Sequence, residues 1–385
     1  MPSTAPPEAL RPTSRSGRTG WFTCRRSATA CSSGTADARL TGGRGARPSS
    51  QVADGDMRAA SGYWRLTWGR LRRDPLAVAS GSLLLLVFFA CFIGAPLLAA
   101  ALGHGPDTIF SSAVHDFTPV GLWTRVPNAN YTGEHVTGTT LMVLGADGSV
   151  GRDEFLRLLY GGQATIEVAV GATLIGVTIG STLGTLAGYL GGRVDGVVVW
   201  VTNFALAFPV LLMAIALGAT VSDRYSRYTL NGLVEPGVLS LAVFLGIFIW
   251  PYPARLVRVQ VLELRERPFV EAARMIGSGR GRILRAHIFP HLIPILIPPA
   301  TIMFATTMLL EASFSMLGVG IDPNTASWGG MLASQIGWLT ALASGESITL
   351  TSRLVIVPSL AVLLTAGAAA LLGEQIRKAL DPTGI

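Results

Sequence analysis

The stretch FVEAARMIGSGRGRILRAHIFPHLIP, Phe269–Pro294, carries one glutamate, four arginines and two histidines between two apolar runs. Such a density of ionisable residues is unusual in this chain, in which only 14% of the 385 residues are charged. Helix formers run up to Met275, Gly277 and Gly279 interrupt the pattern, and the helical pattern then resumes until Pro290 ends it. The stretch is predicted to be a helix, a turn and a second helix, all outside the apolar runs.

The overall composition indicates a membrane protein. Half of the residues are hydrophobic, and the mean hydropathy is +0.48. A formal net charge of +7 would suit nucleic-acid binding in a soluble protein, but here the cations lie between apolar runs, so no nucleic-acid partner is expected. Cys24, Cys31 and Cys91 have neither metal-ligand spacing nor the pattern of a disulfide framework.

Six apolar runs are long enough to cross a hydrocarbon layer of about 30 Å, which takes about 20 helical residues. Each run must be helical, because an unpaired backbone amide in lipid costs several kcal/mol. The predicted fold class is therefore an all-α integral membrane protein with six transmembrane helices. The predicted spans are Leu76–Ala101, Val168–Leu190, Val197–Ala219, Val238–Ala254, Leu292–Leu317 and Leu354–Leu372.

Residues 1–60 differ from the rest of the chain. They are rich in Arg, Ser, Gly, Thr, Ala and Pro, lack an apolar period, and contain no apolar stretch of the length that a signal peptide needs. They are predicted to form a disordered basic tail, and Met57 offers an alternative start. Residues 61–385 are then expected to form one six-helix domain.

The arginines predict the orientation of the chain in the membrane. They are concentrated before the first span, between the fourth and fifth spans, and, together with Lys378, after the sixth. With six spans these segments all fall on one side, which the positive-inside rule makes cytoplasmic. Both termini are therefore expected in the cytoplasm, and the loops at about 102–160, 220–237 and 318–352 on the opposite side.

Two sets of residues indicate how the spans are arranged. Gly180, Gly184 and Gly188 form a stripe of small residues along the second span, where a neighbouring helix can approach closely, although glycine is also common in such spans. Tryptophans near the predicted span ends are expected to anchor the helices at the membrane interfaces. They are Trp64, Trp68, Trp123, Trp200, Trp250 and Trp328.

The pattern of Glu271, Ala272 and Ala273 followed by Gly277 resembles the EAA loop of permease subunits in ATP-binding cassette importers. His287 and Pro290 belong to the same pattern. The full stretch is similar to the form found in the dipeptide, oligopeptide and nickel permease family. The resemblance extends over about 310 residues and includes these further segments: RRDPLAV, GRDEFLRLLYGG, AGYLGGRVD, ALAFPVLLMA, WPYPARLVRVQVLELRERPFVEAAR, LLEASFSMLGVGIDPNTASWGGML and LLGEQIRKALDP.

The resemblance implies a type I importer permease fold and a coupling loop, at residues 259–291, that docks on a cytoplasmic ATPase. Ala272 and Ala273 would offer a small surface for close docking, Glu271 a charge for partner cations, Gly277 the turn, and Arg274 electrostatics at the rim. The alternative for the loop is a basic surface that rests on anionic headgroups. Implied partners are a second permease, two ATPase subunits, an extracytoplasmic binding protein and membrane lipids.

The resemblance further implies that this chain is not an enzyme and binds no cofactor, with ATP and magnesium held by the partner ATPase. The residues agree, since the sole lysine, Lys378, lacks the glycine frame of a phosphate-binding loop. Dipeptides or oligopeptides are the expected substrates. Nickel or another small solute is the first alternative, and a gradient-driven transporter is the second. The family's outer segment is altered in LGADGSVGRD, where Ala146 replaces the common threonine, which puts contacts with a binding protein in doubt.

Two remaining sets of polar residues are candidate sites. Glu311 lies in the fifth span, where a carboxylate costs about 2.5–3.5 kcal/mol on insertion scales. Its position matches a glutamate of the family, so it is expected to serve as a gate or to pack in the bundle interior. His287 and His291 share one helix face, but no third ligand is nearby and no metal site is predicted.

Overall fold

A computed structural model describes residues 67–115, 118–129, 135–148, 150–213, 216, 237–321, 324–335 and 353–380. The predicted tail at residues 1–60 and the alternative start at Met57 lie outside the described residues. So do Trp64 and most of the predicted loop at 220–237.

Within these ranges, four helical runs are long and apolar enough to span a membrane, at Pro75–Leu102, Glu154–Leu190, Arg280–Met316 and Arg353–Leu380. The first comprises α1 (Pro75–Phe89), a π-helical turn (Ala90–Gly94) and α2 (Ala95–Leu102). The second is α3 (Glu154–Leu190). It begins well before Val168, where the apolar pattern alone placed the start of the second span.

The next helices are α4 (Gly192–Ala207), α5 (Val238–Ile249) and α6 (Pro251–Leu264). Helices α5 and α6 together form one candidate span that is bent by 44°. Pro251 stands in the first turn of α6, and a proline at that position is a common cause of a bend. Helix α4 covers the first part of the predicted third span, and residues 210–213 are again helical, while residues 214–215 and 217–219 of that span lie outside the described part of the chain.

The remaining helices are α7 (Pro268–Met275), α8 (Arg280–Ile283), a π-helical turn (Leu284–Ile288), α9 (Phe289–Met316), α10 (Trp328–Ser334) and α11 (Arg353–Leu380). The expectation that Pro290 ends a separate helix is wrong, because α8, the π turn and α9 run on as one span. In the π turn, the N–H of Phe289 bonds to the carbonyl of Leu284. Pro290 follows this change of hydrogen-bond pattern in the first turn of α9, where its missing N–H is tolerated.

Helices α3 and α6 run in the same direction and meet along the glycine stripe. A Cβ at Gly180 would lie 2.6 Å from the carbonyl oxygen of Trp250, and one at Gly184 would lie 2.5 Å from that of Ala254. The corresponding distance from Gly188 to the carbonyl oxygen of Arg258 is 2.8 Å. The structure therefore places all three glycines where the backbones of two helices touch.

The segment between α2 and α3 is not a plain loop, and we call residues 104–153 the strand unit. It contains three antiparallel pairs, formed by β1 (Val114–His115) with β2 (Thr118–Pro119), β3 (Thr124–Ala129) with β4 (His135–Met142), and β5 (Ala146–Asp147) with β6 (Arg152–Asp153). In the β3–β4 hairpin, Thr124 pairs with Met142 and the register shifts between Pro127 and Ala129. Phe110, Ala113, Val126, Met142 and Ala146 form its apolar core.

The directions of the spans place the strand unit and α7 at opposite ends of the bundle. The strand unit joins the end of α2 to the start of α3, whereas α7 lies between the end of α6 and the start of α8. We call these the strand end and the loop end.

Candidate functional site

Helix α7 at the loop end begins and ends with clear local signals. Arg267 precedes it in an extended conformation, and Pro268 occupies its first turn. At its end, Gly277 adopts φ 79°, and its N–H donates to the carbonyl of Arg274 at 3.0 Å. The N–H of Ser278 donates to the carbonyl of Ala273, also at 3.0 Å. These two bonds form a Schellman motif, so the glycine is required for the turn that ends the helix.

The inner face of α7 packs against the bundle. Val270 and Ala273 are buried in an apolar cluster that joins α3, α6, α8 and α9. The other buried members of the cluster are Tyr189, Val257, Val261, Ile283, Ile288, Leu292 and Leu296. The expectation that Ala273 offers a docking surface is therefore wrong, since it is 4% exposed and its methyl group faces the cluster.

The outer face of α7 is uncovered. Glu271, Ala272 and Arg274 are exposed, as is Gly277. At the tip, Met275 and Ile276 are each 82% exposed, more than the other large hydrophobic residues found exposed in the described chain. Sequence reasoning missed these two side chains, although their position between a helix and its terminating glycine was a usable signal.

Aromatic contacts join α7 to α3 and to α9. The guanidinium of Arg274 lies over the ring of Tyr189 at 5.6 Å, so this arginine contacts the end of α3 as well as solvent. The rings of Phe269 and His291 stack with centroids 5.1 Å apart. His291 Nδ1 lies 2.6 Å from the carbonyl oxygen of His287, which requires the ring to donate from Nδ1. His287 is half-buried at the base of α9.

The helix that leads into α7 is also tied to its neighbours by arginines. Arg265 donates to the carbonyl of Gly188 at 3.1 Å, and Arg258 Nη2 donates to Asp195 Oδ2 at 2.6 Å. Helix α6 is therefore linked to the end of α3 and to the start of α4. Together with the apolar cluster, these contacts make α7 an extension of the spans and not a free loop.

Glu311, a residue of α9, is fully buried against α3. Its carboxylate accepts from Thr165 Oγ1 at 3.1 Å and from Ser315 Oγ at 2.9 Å. Thr165 Oγ1 in turn accepts from the N–H of Trp328, and the indole N–H of Trp328 donates to the carbonyl of Leu158 at 2.7 Å. Glu311 thus lies in the bundle interior, where its hydrogen bonds join two spans and, through Thr165, the start of α10.

A buried ionic cluster attaches the strand unit to the bundle. Asp147 is 5% exposed, and its Oδ2 lies 3.3 Å from Arg152 Nε and 3.2 Å from Arg157 Nε. Its Oδ1 accepts from Gln335 Nε2 at 3.2 Å, and Arg157 also pairs with Asp107. The cluster therefore connects the strand unit to α3 and to the end of α10.

The N-terminal cap of α3 adds a second polar link. Asp153 Oδ1 accepts from the N–H of Phe155 at 2.9 Å and of Leu156 at 3.3 Å, while its Oδ2 lies 3.7 Å from His104 Nε2. Burial raises the pKa of the Asp153 carboxyl, and the backbone bond from Leu156 and the nearby imidazole oppose this shift.

Groups of three or more residues able to hold a metal ion do not occur among the described residues, which include His287 and His291. The apolar helices are long enough to span a membrane, as in a multi-pass membrane protein, and α7 exposes an apolar tip at one end.

The family follows from sequence comparison. Residues 180–383, which contain α4 to α11 and the whole of the loop, match the family described as binding-protein-dependent transport system inner membrane component. Residues 62–118 match the N-terminal transmembrane domain of oligopeptide transport permease C. The chain belongs to this family of binding-protein-dependent permeases and is a multi-pass protein of the inner membrane.

Two named relatives and one solved structure are similar to parts of this chain. The glutathione transport system permease protein GsiD of Salmonella typhimurium is 32% identical over 319 residues, which cover 83% of this chain and 90% of the relative. GsiD of Shigella flexneri is 36% identical over 234 residues, covering 61% and 70%. A structure of the MetNI methionine ABC transporter in an inward-facing conformation is 20% identical with a TM-score of 0.41, over 57% of this chain and 96% of that one.

Proposed function

We propose that this chain is a permease subunit of an ATP-driven peptide importer, and that α7 is its docking element for a cytoplasmic ATPase. The observation that carries the proposal is the contrast between the two faces of α7. Val270 and Ala273 are buried against the spans, whereas Met275 and Ile276 are 82% exposed. An exposed apolar pair on a rigid support is suited to fill a pocket in a partner protein.

The distribution of cations supports a cytoplasmic position for the loop end. Eight arginines lie between residues 255 and 285, and Arg377 and Lys378 lie at the end of α11, which is on the same side of the bundle. An excess of arginine and lysine marks the cytoplasmic side of inner-membrane proteins. The strand unit then faces the extracytoplasmic space, and both termini are cytoplasmic.

The contacts of α7 explain how a movement of the docked ATPase can be transmitted to the spans. The apolar cluster joins α7 to α3, α6 and α9, and Arg274 and Phe269 fasten it to Tyr189 and His291. A displacement of α7 by a docked ATPase therefore displaces the ends of three helices together. Alternating exposure of a central pathway would follow from this movement, and ATP with its magnesium ion is bound by the ATPase.

The proposed assembly contains a second permease, two ATPase subunits and an extracytoplasmic binding protein. Membership of a binding-protein-dependent family supports the last of these. Peptides are the proposed substrates, because relatives that align over most of this chain are named as glutathione permeases and glutathione is a tripeptide. The binding protein, which captures the solute first, is proposed to set most of the selectivity.

The docking proposal is tested by replacing Met275 and Ile276 together with serine in tagged full-length protein and purifying it from native membranes in mild detergent. We expect the ATPase to be lost, with affinity reduced by about 30-fold or more, because hot-spot residues contribute about 2 kcal/mol or more. Glu271→Lys should weaken the same association through charge. Trp68→Ser is the matched control, since Trp68 is 55% exposed and precedes α1 at the same end of the bundle.

Retention of the ATPase by the double serine variant would contradict docking through α7. A protein that purifies without any ATPase, in wild type and variants alike, would instead favour transport driven by an ion gradient. The substrate is tested separately by isolating the associated binding protein and titrating it with glutathione, longer peptides and Ni²⁺. Binding of Ni²⁺ without binding of peptides would overturn the peptide assignment and leave the docking result intact.

A further inference from the structure

A short turn of the strand unit, between Val120 and Thr124, exposes two large apolar side chains. Leu122 is 46% exposed and Trp123 is 69% exposed. Trp123 also adopts φ 54°, a left-handed conformation that bulky residues rarely take. Local hydrogen bonds hold the backbone, since the N–H of Trp123 donates to Val143 at 3.2 Å and Thr124 Oγ1 donates to Gly121 at 3.0 Å.

The turn is attached to the start of the last span. Arg353, the first residue of α11, donates from Nη2 to the carbonyl oxygen of Val120 at 2.6 Å. Gly145 packs directly against this hydrogen bond. A Cβ at Gly145 would lie 2.4 Å from the carbonyl oxygen of Val120 and 2.6 Å from Arg353 Nη2, so only glycine leaves room for the contact. Arg353 begins a helix that is long and apolar enough to span a membrane, so the turn is held at the strand end of a candidate span.

The exposed face of α11 carries an apolar stripe that begins beside the turn. Ile356, Leu360 and Leu363 are 54%, 49% and 67% exposed, and they form one helical stripe. Arg353 precedes Ile356 by three residues and Leu360 by seven, so it lies on the same stripe. The turn that Arg353 holds is therefore at the membrane-surface end of an apolar stripe that is suited to face lipid.

We propose that Leu122 and Trp123 form a membrane anchor that inserts into the boundary between headgroups and acyl chains at the strand end. An indole ring suits this depth, because its body is apolar and its N–H can bond to headgroups. Burial of the two side chains in the bilayer offsets the unfavourable conformation of Trp123. The anchor holds the strand unit against the bilayer beside α11, and it depends on membrane insertion and not on the transported solute.

The experiment places a nitroxide label at position 122, 139 or 360 in a full-length variant whose cysteines at 24, 31 and 91 are replaced. The labelled protein, with the subunits that co-purify with it, is reconstituted in vesicles of phosphatidylethanolamine and phosphatidylglycerol. Collision rates are measured with oxygen, which concentrates in the bilayer, and with a water-soluble nickel chelate. Position 360 reports the lipid-facing stripe, and the exposed Thr139, about 10 Å along the hairpin from Thr124, reports water.

We expect the labels at 122 and 360 to collide preferentially with oxygen, and the label at 139 to collide preferentially with nickel. A second variant, Trp123→Gly, keeps the turn because glycine favours positive φ. In this background the preference of the label at 122 for oxygen should fall at least several-fold. Free collision of the label at 122 with nickel in the Trp123 protein would overturn the proposal. Exclusion of both reagents would also overturn it and would identify a protein partner at the turn.

Discussion

Helix α7 at the loop end and the strand unit at the strand end are both attached to the ends of spans, but by different means. An apolar cluster holds α7, and most of its members lie between Val257 and Leu296. Buried charged and polar side chains hold the strand unit, and they include the pair of Asp147 and Gln335, which are 188 positions apart in the chain. The difference teaches that α7 keeps an exposed outer face while its inner face packs, whereas the strand unit depends on a fixed set of internal pairs.

The physical reason lies in the cost of leaving a group unpaired. An apolar cluster loses contacts gradually when one side chain is trimmed. A buried ionic cluster loses a partner for a charge that has already been removed from water, and this cost is not recovered elsewhere. The strand end is therefore expected to be the more brittle of the two attachments.

The strongest way to test this contrast is Asp147→Ala. This change leaves Arg152 and Arg157 without their shared buried carboxylate and should lower the free energy of unfolding by about 3–5 kcal/mol. Thermal unfolding of the purified protein in detergent measures the effect. Asp107→Ala is the matched control, because Asp107 pairs with the same arginines but is 50% exposed, and its loss should cost less than about 1 kcal/mol. Equal effects of the two changes would refute the view that burial makes the cluster brittle.

A second test addresses the contact between α3 and α6 along the glycine stripe. In Gly184→Ala the added methyl group would meet the carbonyl oxygen of Ala254 at 2.5 Å and Val257 Cβ at 3.0 Å. The helices must separate, and we expect a loss of about 1–3 kcal/mol in the same unfolding assay. In the control Gly367→Ala, in α11, the methyl group would meet no atom within 4 Å, so stability should be unchanged or slightly higher. An unchanged stability of the Gly184→Ala variant would mean that α3 and α6 pack less closely than the structure shows.

The smallest expected effect is at the turn that ends α7. Gly277→Ala forces a Cβ into the left-handed conformation at φ 79° and should weaken the turn by about 1 kcal/mol. Hydrogen exchange of the amides of Gly277 and Ser278, which close the Schellman motif, should become faster. Gly279→Ala is the control, since Gly279 has φ −64° and its substitution should leave these rates unchanged. Faster exchange in both variants would show that the turn responds to chain stiffness and not to the left-handed position.

The sequence predicted the spans better than it predicted their ends. Four long helices and one bent pair cover five of the six predicted spans, and α4 covers part of the remaining one. The predicted second span begins 14 residues after the start of α3, because charged residues such as Glu154 and Arg157 interrupt the apolar pattern, and the structure buries Arg157 in this helix beside Asp147. The prediction that Pro290 ends a helix is wrong for a different reason, because the π turn that precedes this proline has no sequence signal.

The candidate site was predicted in part. Glu271, Ala272 and Gly277 lie on the exposed part of the loop, but Ala273 is buried and Met275 and Ile276 were overlooked. Two of the predicted interface tryptophans, Trp250 and Trp328, are buried at 8% and 2% exposure, whereas Trp68, Trp123 and Trp200 are more than half exposed. A tryptophan near the end of a span looks the same in sequence whether it faces lipid or the interior of the bundle.

The sequence by itself determined the membrane class, most of the spans, the glycine stripe and the loop pattern, because each of these depends on residues within a few helical turns of one another. The family assignment rests on the same local patterns. Only the tertiary structure decided which face of α7 is free, that Glu311 bonds to Thr165, and that Asp147 meets Gln335. These contacts join residues up to 188 positions apart, and they follow from how the helices pack, which no local pattern of residues records.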